Sequence, residues 1–269
     1  MKSQLRYFVS LHALVVAALL AACTAPPHKA PAPGVLTDVL LLGERHDAPA
    51  QMTKVTDELI RLAAQGQLAV LAIEMVPAGT TTAALSRAAA APAIRQALAW
   101  NDKAWPWDRY AAPITAAVAA GVPVVGANLP QDQITTAMAD VSLDAQLTDA
   151  ARQRLATVIR EGHCGLFPEN RIAPMVRVQI ARDRSMAHTL AESVVAGRTA
   201  VLLSGTGHAD LELGVPQHLP TQLTIRSVAM VAEGDSAAGR FDALWATPAA
   251  RAGDPCAALA LQLPDKPRR

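Results

Sequence analysis

Four short apolar runs, each closing on a glycine or a small polar cluster, constrain this chain more than anything else in it. They are Asp38–Leu42, Leu68–Ile73, Val122–Ala127 and Thr199–Leu203. Runs of this length, bounded by turn residues, read as buried strands. Between them lie stretches with helical spacing. Ala50–Gln65 puts Met52, Val55, Leu59, Ile60 and Ala63 on one face. The alanine-rich stretch Thr80–Leu98 reads as one or two helices, and Arg109–Ala120 as another that stops at Gly121. Gln131–Arg160 and Met175–Ala196 are also predicted helical, and Leu223–Val231 and Phe241–Ala246 are later strands. Strands alternating with helices call for a parallel sheet covered on both faces. The expectation is an α/β fold with a parallel-rich central sheet flanked by helices. A helical subdomain, about residues 131–195, is inserted between the third and fourth strands. This body spans 38–250, and 251–269 form a polar C-terminal tail. The net charge of +1 offers no basic surface for nucleic acid.

Ionisable residues gather where these strands end. Gly43-Glu44-Arg45-His46-Asp47 follows the first, Glu74 the second, Asn128 the third and Gly205-Thr206-Gly207-His208 the fourth. In open parallel sheets the carboxyl ends of the strands line the ligand crevice. Four strands therefore deliver Glu44, His46, Glu74, Asn128 and His208 to one rim. Carboxylates and imidazoles together ligate a divalent metal. Without metal, a carboxylate-held histidine acts as a general base. The plainer alternative is that these residues cap helices and pair with Arg45.

The N-terminus has a different character. A basic start, Lys2 and Arg6, precedes an apolar run from Tyr7 to Leu20 and a small-residue exit. This is the pattern of a secretory signal, residues 1–22, and the run is short for a membrane span. Leu20-Ala21-Ala22-Cys23 resembles the lipobox of bacterial lipoproteins, which implies lipidation of Cys23 and anchoring to a membrane. Thr24, rather than aspartate, after that cysteine favours the outer membrane, with the body facing the periplasm. Residues 23–37, carrying Pro26, Pro27, Pro31 and Pro33, read as a proline-rich tether. With Cys23 lipidated, Cys164 and Cys256 remain. An oxidising compartment lets them pair; the alternative is two free buried thiols.

Six segments appear in order: Gly43-Glu44-Arg45-His46-Asp47, Ile73-Glu74-Met75, Gly126-Ala127-Asn128-Leu129-Pro130, His163-Cys164-Gly165, Gln179 to Ala187, and Gly205-Thr206-Gly207-His208-Ala209-Asp210. Over roughly Asp38 to Leu219 the chain resembles the ChaN-like haem-binding lipoproteins, in the superfamily of erythromycin esterases, Tiki and TraB proteins. The resemblance implies haem as cofactor and a part in haem or iron uptake. Its implied partners are a homodimer that sandwiches the haem and a haem receptor or transporter. Hydrolases of the superfamily, some metal-dependent, use residues matching Glu44, His46, Glu74 and His208. Several ChaN-like sequences carry a second histidine where this chain has Pro49-Ala50-Gln51.

Haem iron accepts His, Met, Cys or Tyr. Tyr7 lies in the signal, so a tyrosinate ligand would have to be Tyr110, which follows Trp100, Trp105 and Trp107. Those tryptophans suit a flat macrocycle, a partner subunit, or simply an anchored loop. His163 would ligate iron or cap a helix. Arg182 would meet a haem propionate or form an ion pair with Glu44 or Glu74. Met186, four residues on, shares its face. Two functions follow: a lipid-anchored haem-binding protein, or a hydrolase using Glu44, His46, Glu74 and His208 with or without a metal. No Gly-x-Ser-x-Gly nucleophile motif accompanies the second.

Overall fold

The computed structural model describes residues 31–32, 34–249 and 256–257. The signal, Cys23, most of the tether and most of the tail lie outside the described residues. The elements run β1 (Val39–Glu44), α1 (Gln51–Ala64), β2 (Leu68–Pro77), α2 (Ala91–Ala97), α3 (Trp107–Ala119), β3 (Val124–Asn128) and α4 (Ile134–Ala139). Then come α5 (Asp149–Gly162), α6 (Ile172–Ser193), β4 (Thr199–Gly205), α7 (Thr206–Ala209), β5 (Ile225–Ala232) and β6 (Ala243–Thr247). The strands form one sheet in the order β3-β2-β4-β1-β5-β6, with every neighbouring pair parallel.

Alternation along each strand sorts side chains onto two faces. Leu40, Leu42, Leu71, Ile73, Val201 and Leu203 point to the side covered by α1, α2 and α3, where Met52, Val55, Leu59, Ile94 and Ile114 complete the core. Val39, Leu41, Val70, Ala72, Ala200 and Leu202 point to the other side and meet Met186, Ala187 and Leu190 of α6. Both faces are therefore dry, which is why the strands read as continuous apolar runs rather than alternating ones.

The helical insertion between β3 and β4 carries a core of its own. Ala137 of α4, Leu155 and Ile159 of α5, and Ile172, Val176 and Ile180 of α6 pack together with Leu143 and Leu147. The predicted helix Thr80–Leu98 is mostly a loop, and only Ala91–Ala97 is helical. Three threonines explain the difference. Thr80 donates its hydroxyl to Pro77 O (2.9 Å), Thr81 makes an isolated antiparallel bridge to Val125, and the Thr82 hydroxyl accepts from Val124 N–H (2.9 Å). Side-chain hydroxyls that bind backbone groups compete with helix formation. Here the Thr80 hydroxyl holds the loop to the end of β2, and the Thr82 hydroxyl and the Thr81 bridge tie it to the outer strand β3.

Cys164 and Cys256 form a disulfide that joins the end of α5 to the chain beyond β6. Cys164 sits at φ 56°, a left-handed conformation that costs an L-residue about 1 kcal/mol or more.

Candidate functional site

The rim at the carboxyl ends of the strands brings Glu44, His46, Glu74 and His208 together, and it recruits four residues from the flanking helices. Glu44 ends β1 and is buried. Its Oε1 accepts the Tyr110 hydroxyl (2.8 Å) and lies 2.6 Å from His46 Nδ1. Its Oε2 is buried with no hydrogen-bond partner. Tyr110, from α3, is fully buried, with the Trp100 and Trp105 rings about it. The His46 ring meets Trp105 edge-on at 4.8 Å between centroids, and Arg109 donates to the His46 carbonyl. The His46 side chain remains 38% exposed, with Nε2 3.9 Å from Glu74 Oε2.

Glu74 lies within β2 rather than after it, because that strand runs on to Pro77. Its Oε2 accepts the Gly205 N–H (2.7 Å), and its Oε1 is 3.4 Å from His208 Nε2. His208 is buried, and its Nδ1 is 2.5 Å from Asp183 Oδ1. The Gln179 side-chain amide lies beside that ring, 3.0 and 3.2 Å from its two nitrogens. Asn128 supports the floor by donating to Glu74 O (2.9 Å), while its own Oδ1 is buried without a partner. Two glycines make this closeness possible. A Cβ on Gly205 would fall 2.9 Å from His46 Nε2, and one on Gly43 2.9 Å from Thr206 Cα.

The electrostatics follow from burial and these pairings. Burial alone would lift the Glu74 carboxyl, but the His208 charge, the bond to His208, the His46 charge and the Gly205 N–H outweigh it and hold it at about 2. Burial opposes a charge on His208, yet Glu74 and Asp183 overcome it and raise the imidazole to about 10. Burial pushes Asp183 up to about 6 against the pull of His208. His46 is raised as well: burial opposes, while the bond to Glu44 and the charge of Glu74 prevail. His208 is thus an imidazolium clamped between two acids. Burial, and then Glu44, drive the Tyr110 phenol well above its ordinary range.

Several expectations need correction. Tyr110 is fully buried at the rim, and its hydroxyl donates to Glu44. Met186 is wholly buried against the sheet, where no ligand reaches it. His163 lies in the helical insertion, with Nδ1 2.7 Å from Ile159 O and its ring on Phe167 (4.3 Å). It closes α5 and stands apart from the rim. Arg182 makes no ion pair with Glu44 or Glu74 among the described residues; its Nε is buried without a partner beside Asp183. The divalent-metal expectation also fails. Among the described residues no group of three or more His, Cys, Asp or Glu is set to hold a metal ion. Both ring nitrogens of His208 are already engaged, Nδ1 by Asp183 and Nε2 by Glu74. Asp183 and Gln179 were not anticipated. Asp183 left a signal: Val176, Ile180, Asp183, Ala187 and Leu190 form one helical stripe, and an acid on an apolar stripe marks a buried partner.

A family model described as haem-binding uptake, Tiki superfamily, ChaN matches residues 36–219. The chain belongs to that family. Among solved structures it is similar to ChaN of Campylobacter jejuni, described as showing cofacial haem binding. That likeness has 23% identity and a TM-score of 0.63, covering 77% of this chain and 86% of that one, and it shows a shared fold. The type III effector HopBA1 is more distant, with 14% identity, a TM-score of 0.38, and coverage of 79% and 88%. No curated protein matches the chain.

Proposed function

We propose that this family member binds haem at the open, aromatic side of the rim and serves haem or iron uptake from a lipid anchor at Cys23. Family membership over residues 36–219 is the observation that carries this reading. The rim supplies a surface that fits. His46 is half-buried with accessible ring surface, Trp105 stands against it, and Arg45 and Arg109 flank it. An imidazole held at Nδ1 by a carboxylate is a stiffened, more basic iron ligand, and arginines suit propionates. Haem would bring iron and a large apolar face; the chain would orient it and keep the deeper acids apart from it. Lipidation of Cys23 would hold the body at the outer membrane, facing the periplasm, and Cys23→Ser should move the protein from the membrane to the soluble fraction.

Titrating the protein with haemin tests the site. A saturable Soret shift is expected, lost in His46→Ala and kept in His163→Ala. No saturable shift in the wild type sinks haem binding. Loss in Tyr110→Phe alone would move the ligand from His46 to Tyr110.

One observation favours a second reading, that of a hydrolase. His46, held at Nδ1 by Glu44 and still partly exposed, lies beside Glu74, which His208 and the Gly205 N–H hold in place; an imidazole and a carboxylate at one opening are groups that activate water. An esterase and peptidase panel decides it: turnover abolished by Glu74→Gln supports catalysis, and inactivity throughout removes it.

A further inference from the structure

Because neighbouring strands all run the same way, the turns that lead into them share one end of the sheet, opposite the rim. Those turns are stitched together. Thr199 donates its hydroxyl to Thr37 O (2.7 Å) and its N–H to Gln67 O (2.6 Å), and the Ala200 N–H donates to Asp38 O (2.9 Å). The approaches to β1, β2 and β4 thus form one continuous face. Three exposed aliphatic side chains stand on it, Val35 and Leu36 before β1 and Val195 before β4. Four arginines accompany them. Arg61 lies in the last turn of α1, Arg198 just before β4, and Arg226 near the start of β5. Arg87 lies over Gly121, between α3 and β3, where a Cβ would fall 2.5 Å from its Nε. Arg61 is held by Glu58, while Arg87, Arg198 and Arg226 make no ion pair among the described residues. A cavity of about 570 Å³ lies here, with Val35, Leu36, Arg61, Gln65, Arg226 and Trp245 in its lining. Among the described residues the turns leading into β1 to β5 carry a single acid, Asp38, and its carboxylate accepts from Thr224. Scattered aliphatics on a surface are ordinary. Here they coincide with unpaired cations and with the point where the chain from Cys23 enters the body.

We propose that this end of the sheet docks onto a bilayer that carries anionic phospholipid. Arg87, Arg198 and Arg226 would meet phosphate headgroups, and Val35, Leu36 and Val195 would enter the interface between them. The cations are spread from β3 to β5, over roughly 20 Å at the usual strand spacing. That spread suits a plane of headgroups and not a single small anion. The inference rests on the reading of Cys23 as the lipid anchor. From that residue to Gly34 the chain reaches at most roughly 40 Å, so the face it enters is the one held nearest the bilayer. The rim lies at the far ends of the strands, and docking would turn it outward, toward a ligand arriving through water.

Vesicle flotation tests this on the mature chain with Cys23→Ser, which carries no acyl group. Vesicles containing phosphatidylglycerol form one arm and pure phosphatidylcholine the other. Binding is expected to the anionic vesicles alone, and it should fade as added salt shortens the Debye length. Arg198→Gln and Arg226→Gln should each weaken it by about fivefold, the equivalent of one arginine near a charged membrane. Arg171→Gln, exposed on the helical insertion, should leave it unchanged. Anionic vesicles should slow hydrogen exchange at residues 194–198 and leave 205–210 as they were. No preference for anionic vesicles overturns the surface, and so does slowing at 205–210 instead of 194–198. Failure of the anchor reads differently: mass spectrometry of the exported wild type would find no acyl group on Cys23, whatever the vesicles show.

Discussion

His46 and His208 follow adjacent strands, and each closes a four-residue Gly-x-x-His stretch. Their surroundings are nonetheless opposite. His208 is buried between Glu74 and Asp183 with Gln179 beside it, while His46 has one carboxylate at bonding distance and an open side against Trp105. The same short motif therefore yields a fixed charge in one place and an adaptable group in the other. What separates them is the covering helix. α6 brings an acid down onto His208, whereas α3 brings a phenol that occupies the acid of His46 instead. The rim divides along that line: the sealed half sets the field, and the open half is the part solvent reaches.

The strongest way to break the comparison is His208→Ala. Removing the cation leaves Glu74 and Asp183 facing each other in a dry site, and stranding a buried charge costs about 3–5 kcal/mol. Denaturant melts should show that loss, with a clearly smaller one for His46→Ala. Titration gives the next effect. The folded pKa of His208 is raised above 6.5 to about 10. Its contribution to stability is thus complete below 6.5 and is lost as pH rises through about 10. Asp183, itself raised to about 6, opposes part of that gain in the neutral range. Glu74, lowered from 4.5 to about 2, contributes above 4.5 and loses its share as pH falls through about 2. Melting temperatures should decline on the alkaline side, and His208→Gln should flatten that limb. A wild type with no alkaline decline would mean that His208 is not the fixed cation described here. The smallest effect belongs to Tyr110→Phe. It removes one donor from a buried carboxylate that keeps His46, for about 1–3 kcal/mol. It should also change the titration of the His46 ring, whose pKa the bond to Glu44 raises, and NMR of that ring would read this directly.

Much of the frame was legible because it rests on local pattern. Continuous apolar runs marked β1, β2 and β4, and glycines after them marked the rim. Glu44, His46 and His208 were placed by that rule, and Glu74 by its position after the apolar run Leu68–Ile73, although β2 itself continues to Pro77. The loop after β2 was not legible. Alanine richness suggested helix over Thr80–Leu98, and the threonines that bind strand β3 act through contacts distant in sequence. The fate of Tyr110 was hidden for the same reason, since its partner lies 66 residues away. Asp183 was visible as an acid on the buried stripe of α6, but only its packing against β4 and α7 names His208 as its partner.

The strand order carries a consequence for how the molecule comes into being. Among the described residues β1 is the first strand made, yet it lies inside the sheet, and its neighbours are β4 and β5: Val39 pairs with Ala200 on one side and Ile225 on the other. The first apolar strand must therefore wait, unpaired, until nearly the whole body has been synthesised. Contacts this distant in sequence slow folding and prolong the exposure of sticky segments. The helical insertion, whose core is built from contiguous helices, has no such delay. The molecule should assemble from its middle outward, with the oldest strand among the last to find its place.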